Sequence, residues 1–252
     1  MAKRFQDQKI RKLSPEGMID KDSPAKDLEL ESFFLTLALI FNDIKGIAIL
    51  ESTFTKIYEK PDATVSAHTG EWTGIKLQIV RYSASVLHEA LKLIEDKKNV
   101  VSSLSFQRYY NKLKNYEKNL WLLILNVCGI DNSEQYDQKK IETFKRLLEL
   151  IRHNISFHYY GSGKSLIKGY RKHFYEKTGA GTESAMYSYR STDFYGTRYY
   201  YADAAIQGFI DDEFGKLQLN GKALDEIYRM VLQVAKVITG LLEAYHKDKP
   251  MN

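Results

Sequence analysis

The sequence predicts an all-α protein, a multi-helix bundle with a tyrosine- and glycine-rich irregular insertion before its last helix. Three observations point there. The 4 prolines stand at positions 15, 24, 61 and 250, so no residue between them from 62 to 249 lacks a backbone donor, and helices can run long. Glycine is absent from Ile75 to Cys128 and from Ile130 to Tyr160, whereas nine of the 15 fall between Gly161 and Gly221, which places the irregular region late in the chain. Elsewhere apolar residues recur three and four apart, the period of an amphipathic helix.

Residues 1–23 mix basic and polar side chains with Pro15 and Gly17 and read as a flexible basic tail. Ser23-Pro24 then predicts an N-cap followed by proline at the first helical position. The helix that follows runs to about Glu59. Apolar residues surround it near Phe33 to Phe41, which predicts a central, buried element. A second helix carries Trp72, Ile75, Ile79, Val86, Ala90, Leu91 and Ile94 on one face and ends in the charged run Glu95 to Asn99. A third starts at Ser102 or Ser103 and runs through Trp121 to Val127, with Gly129 placed to end it. The fourth starts near Ser133 or Asp137, carries Ile141, Phe144, Leu148, Ile151 and Ile155, and extends to His158. A final helix, about Lys222 to His246, repeats the pattern from Leu224 to Tyr245. Between these two, about 160–215 forms the insertion. Leu166 to Glu176 is partly helical, and Met186 to Tyr189 and Tyr199 to Tyr201 are short strands or ordered loop. The domain organisation expected is thus a tail over 1–23 and one helical domain over 24–252.

At 44% hydrophobic and 27% charged, the composition is that of a globular protein, which excludes a disordered or fibrous class. The one cysteine, Cys128, precludes an internal disulfide and fits a reducing compartment. The charged N-terminus lacks the apolar run of a secretory signal. Asn42, Asp43 and Lys45 interrupt the most apolar stretch short of the roughly 20 residues a bilayer span needs. A cytoplasmic protein without a membrane partner is expected. Seven Lys or Arg against three acidic residues lie between Tyr159 and Tyr201, so most of the net charge of +5 sits there, together with ten of the 18 tyrosines. Cations for phosphates and rings for stacking bases are the ingredients of an RNA-binding surface. Tyrosine-rich loops also pack as half-buried lids or dimer contacts, so both readings stay open.

The chemically loaded segment is Arg152-His153-Asn154-Ile155-Ser156-Phe157-His158. On a helix, Asn154 and His158 are four apart and share a face, and Arg152 lies about 120° around from His158. If the helix ends or bends near Phe157, Arg152 and His158 converge on one anionic group, for which phosphate is the natural candidate. The plain alternatives are a histidine capping helix carbonyls and an Arg152 ion pair with Glu149 or Glu142.

An arginine, five residues and then a histidine, inside an all-helical bundle, resembles the signature of the HEPN superfamily, with His153 as the polar residue favoured after the arginine. Many members have Arg-Asn, three residues and His. Here the Asn154 to His158 register matches and the arginine stands one residue further upstream. The resemblance covers about residues 70 to 246 loosely. It implies a metal-independent endoribonuclease without cofactor, acting on RNA as a homodimer with a composite active site. Members serve in toxin-antitoxin or antiviral systems, where an inhibitory partner protein is common. His158 would move the proton, Arg152 would stabilise charge on the phosphorane, and Asn154 would orient histidine or phosphate. His153, Lys164, Arg171, Arg190 and Arg198 are the candidate substrate-binding residues. A catalytically inactive helical binding or dimerisation module is the alternative, since HEPN-like folds also serve that way.

Other signals carry less. Gly161-Ser162-Gly163-Lys164-Ser165 resembles the end of a phosphate-binding loop, but His158 occupies the position of its first glycine, and no strand precedes it. His68 and His88 have no partner at a metal-ligand spacing, so no metal is expected.

Overall fold

The structure is a computed structural model that describes residues 14–25, 28–59, 67–131, 137–156, 163–176, 188–189, 198–217 and 222–249. It is an all-α multi-helix bundle. In chain order the α-helices are α1 (Pro15–Met18), α2 (Glu29–Ile57), α3 (Ala67–Asp96), α4 (Lys98–Val101), α5 (Leu104–Tyr110), α6 (Asn115–Val127) and α7 (Gln138–Ile151). They continue with α8 (Gly163–Arg171), α9 (Tyr200–Lys216) and α10 (Lys222–Lys247). Helices α7 and α8 each run on into a π-helical turn, Arg152–Ser156 and Lys172–Glu176. Two two-residue strands, β1 (Ser188–Tyr189) and β2 (Arg198–Tyr199), pair antiparallel with Ser188 opposite Tyr199.

The central element is α3, which packs against α2, α7, α9 and α10. Its small Ser83, Ala84 and Ser85 are buried beside Leu87, Ala90, Leu91 and Ile94, and side chains this short let neighbours approach from several sides. Helix α2 is peripheral, which corrects the expectation of a central element. One face, Phe33, Phe34, Leu37, Ile40, Ile44 and Ile47, is buried, while Leu35 and Leu39 are 59% and 61% exposed and Ile57 is 68% exposed. By length and composition alone α2 is apolar enough to cross a membrane, with 33% of its most apolar window buried, so Asp43 and Lys45 interrupt it less than the sequence reading held. Against the buried face, Phe34 stacks on Tyr245 at 4.1 Å between ring centroids and meets Tyr109 edge-on at 5.1 Å, which joins α2, α5 and α10.

Several boundaries differ for local reasons. Ser23 does not cap α2. Its hydroxyl donates to Asp20 Oδ2 at 3.0 Å within an Asp20 turn, and α2 begins at Glu29 with no side-chain cap. The proline-at-first-position signal is used instead by α1, where Ser14 Oγ accepts from the Gly17 N–H, so Pro15–Met18 of the expected tail forms a helical turn. The single third helix is two. Ser103 caps α5 as expected, and α6 restarts where the Glu117 carboxylate accepts the Lys114 backbone N–H at 2.8 Å. Gly129 ends α6 at φ +69°, with Ile130 N–H bonded to Leu125 C=O and Gly129 N–H to Asn126 C=O, a Schellman closure.

The largest departure is α9, in a stretch expected to be irregular. Residues 200–216 form a helix burying Tyr200, Ala204, Ala205, Ile206, Phe209, Ile210 and Phe214, and it packs along α8. Its glycines suit a close crossing. A Cβ on Gly169 of α8 would meet Ala205 O at 2.0 Å, and one on Gly208 of α9 would meet Gly169 O at 2.0 Å, so backbone touches backbone there.

Candidate functional site

The Asp137 carboxylate starts α7 by accepting the Lys140 N–H at 3.2 Å, and Leu147, Leu148 and Ile151 bury its apolar face. At Arg152 the α-helix gives way to a π-helical turn, whose wider i→i+5 spacing is a local irregularity often found at functional sites. Side chains hold that turn. Ser156 is fully buried; its hydroxyl lies 3.1 Å from Ile151 O, five residues back, and 3.3 Å from Arg81 O of α3. In return, Arg81 Nη2 donates to Ser156 O at 3.0 Å. Arg81 is 8% exposed, so this reciprocal pair clamps the turn to α3 from inside.

The clamp fixes where the motif residues point. Arg152 Nε donates to Glu89 Oε1 of α3 at 2.6 Å, with the two side chains 25% and 52% exposed. A partner is thus supplied by Glu89 from another helix, because α3 runs alongside α7 in three dimensions. Asn154 faces another neighbour: its Nδ2 donates to Leu150 O at 3.0 Å, and its Oδ1 accepts from Ser165 Oγ of α8 at 3.0 Å. Arg152 and Asn154 therefore flank the turn, one toward α3 and one toward α8. His158 lies outside the described residues, as does Arg190.

His153 is exposed and meets His88 of α3, their ring centroids 5.9 Å apart and their planes at 77°. His88 is half-buried. Burial first, then the neighbouring charges of Arg152 and His153, hold its pKa below the usual histidine range, with Glu89 and Glu149 pulling the other way. Arg152 and Glu89 also line a groove of about 570 Å³ between α2 and α3, together with Asn42, Asp43, Leu50, Tyr82 and Ser85. The contacts of His88, Glu89, Arg81 and Ser165 escape sequence reasoning because their partners lie 11 to 75 residues away along the chain.

The expected substrate-binding residues divide. Lys164 and Arg171 are exposed on α8, seven residues apart and so on one side of it. Arg198 is instead tied down: it donates to Asp203 of α9 at 2.8 Å and Glu71 of α3 at 3.0 Å and lies across Gly74, where a Cβ would strike its guanidinium. The tyrosine run splits where β2 gives way to α9, with Tyr199 and Tyr201 exposed and Tyr200 buried against Gly70.

Among the described residues no group of three or more His, Cys, Asp or Glu is placed to hold a metal ion. Cys128 is buried, its thiol directed at Leu91 O, and burial pushes its pKa up to about 12, which removes it as a nucleophile. No family model, curated protein or solved structure matches the chain.

Proposed function

We infer that the chain is a HEPN-like, metal-independent endoribonuclease in which Arg152 receives the scissile phosphate, Asn154 orients the site and His158 transfers a proton. The observation that carries this reading is the π-helical turn itself, which is clamped to α3 and presents Arg152 and His153 together on a partly open surface. The Arg152–Glu89 pair is no obstacle. An ion pair this exposed is worth about 0–1 kcal/mol, and a phosphate offering charge-assisted bonds to the same guanidinium competes with it readily. Attack by the ribose 2′-oxygen on phosphorus, with loss of the 5′-oxygen, leaves a 2′,3′-cyclic phosphate. Lys164 and Arg171 supply backbone contacts along α8. A homodimer completes the site, and the exposed Leu35, Leu39 and Leu50 of α2, the last also lining the Arg152 groove, form the contact between copies. Toxin or antiviral action is the biological setting this chemistry suits.

The test is incubation of purified protein with labelled RNA in EDTA. Wild type cuts, while Arg152→Ala and His158→Ala do not, though both keep their helicity.

One observation favours a catalytically silent binding module instead: Arg152 and Asn154 each already have a protein partner, Glu89 and Ser165. In that case wild type releases no product, and Arg152→Ala lowers the melting temperature or changes the assembly state.

A further inference from the structure

An RNA held by its phosphate at Arg152 places the adjoining base within one nucleotide's reach of the guanidinium. Arg152 lines the groove of about 570 Å³ between α2 and α3, a size within the range of about 300–1,000 Å³ usual for small-molecule sites. We propose that this groove is a base subsite that selects guanine, so that cleavage falls beside guanosine. The inference rests on the ribonuclease reading above.

Residues three and four apart on each helix supply the two walls: Asn42, Asp43 and Gly46 on α2, and Tyr82, Ser85 and Glu89 on α3. Gly46 leaves open space where a Cβ would stand. The feature that calls for a polar guest is Ser85. It is 3% exposed, and its Oγ has no hydrogen-bond partner. A serine inside a helix commonly returns its hydroxyl to the carbonyl four residues back. For Ser85 that carbonyl is Arg81 O, which accepts from Ser156 Oγ as part of the clamp. A buried hydroxyl without a partner is costly, and a ligand atom in the groove would satisfy it.

The chemistry of the walls chooses among bases. Ile47, Val86 and the Tyr82 ring suit a flat aromatic guest, and Gln78 Nε2 anchors that ring by donating to its hydroxyl at 2.9 Å. Glu89 is engaged by Arg152, whereas the Asp43 side chain has no hydrogen bond or ion pair among the described residues. A carboxylate accepts two parallel N–H bonds. Guanine alone among the four bases carries two neighbouring donors, N1–H and the exocyclic amine, on its Watson–Crick edge, with the acceptor O6 beside them. Adenine, cytosine and uracil would each set a lone pair against the carboxylate. In the subsite Asp43 accepts from both guanine donors, and the Ser85 hydroxyl donates to O6.

The experiment is calorimetric titration of the full-length protein with guanosine 3′- and 5′-monophosphates, beside their inosine, adenosine, cytidine and uridine counterparts, with mapping of cuts in a mixed-sequence RNA in EDTA. One guanosine monophosphate should bind about tenfold or more tightly than the other bases, inosine included because it lacks the exocyclic amine. Asp43→Asn should remove that preference from binding and from the cut positions. Ser85→Ala should weaken guanosine binding several-fold without lowering the melting temperature, since the hydroxyl it removes has no protein partner. Gly46→Leu, whose Cβ has room, should block binding while the helix is kept. If guanosine is not preferred, or if Asp43→Asn binds and cuts like wild type, the subsite is overturned, and RNA cutting by wild type leaves the ribonuclease reading standing. If wild type prefers guanosine monophosphate yet cuts no RNA, the ribonuclease reading falls and the groove stands as a guanine site.

Discussion

At the scale of single residues, the proposed site turns on how Arg152, held by Glu89 in the structure, would be shared with a substrate anion. Glu89→Gln removes the internal competitor and a negative charge from the groove, so RNA binding should tighten several-fold, read by fluorescence anisotropy at fixed salt; unchanged binding would show that Arg152 does not meet the phosphate. His88 links the site to stability. Its folded pKa lies below the unfolded value of about 6.5, so the native state prefers the neutral ring. The corresponding stability is present above about pH 6.5 and is lost as pH falls through the lower, folded value. Thermal melts should show the melting temperature declining over that window in wild type and less steeply in His88→Gln. Cys128, with its pKa pushed up to about 12, should resist thiol reagents in the native protein and react at once after denaturation. Its inertness was legible in the sequence from its place in an apolar run. The Arg152 partner was not, because the helix-face argument considers only residues on the same helix, and Glu89 sits on α3.

At the scale of elements, the decisive contact is the crossing of α8 and α9. Gly169 and Gly208 bring the two backbones together, and α8 thereby holds Ser165 against Asn154. Gly169→Ala would press a methyl against Ala205 O and the Phe209 backbone nitrogen, both within 3 Å, and such overpacking costs about 1–3 kcal/mol. For a chain of this size that lowers the melting temperature by roughly 2–4 °C per kcal/mol, measurable by calorimetry. An unchanged transition would mean that the crossing relaxes freely. This element shows why periodicity failed over 200–216. Helix α9 is apolar on several sides, with glycines and alanines where it meets α8, so it lacks a one-sided stripe, and its glycines read as breaks rather than as contact points. The one-sided helices α3, α7 and α10 were legible for the opposite reason. The break between α5 and α6 was not, since no proline or glycine marks it, only the Glu117 carboxylate on the Lys114 N–H.

At the scale of the whole molecule, the bundle was legible from proline and glycine placement, whereas which helix lies at its centre was not. The apolar circumference of α2 suggested burial on every side. In the fold that position belongs to α3, whose small residues admit neighbours all round, and α2 keeps Leu35, Leu39 and Leu50 outward. If this stripe joins two copies, Leu35→Glu with Leu39→Glu should convert a dimer into a monomer by light scattering and slow cleavage in step. A wild type already monomeric at assay concentration would remove the composite site. The central claim is that the turn bearing Arg152 cleaves RNA by 2′-oxygen attack. It is tested most directly by analysing the ends of RNA fragments made in EDTA by wild type and by Arg152→Ala. The account predicts 2′,3′-cyclic phosphate ends from wild type and no fragments from the variant. Fragments ending in a 3′-hydroxyl, equal cutting by both proteins, or no cutting by wild type would contradict it.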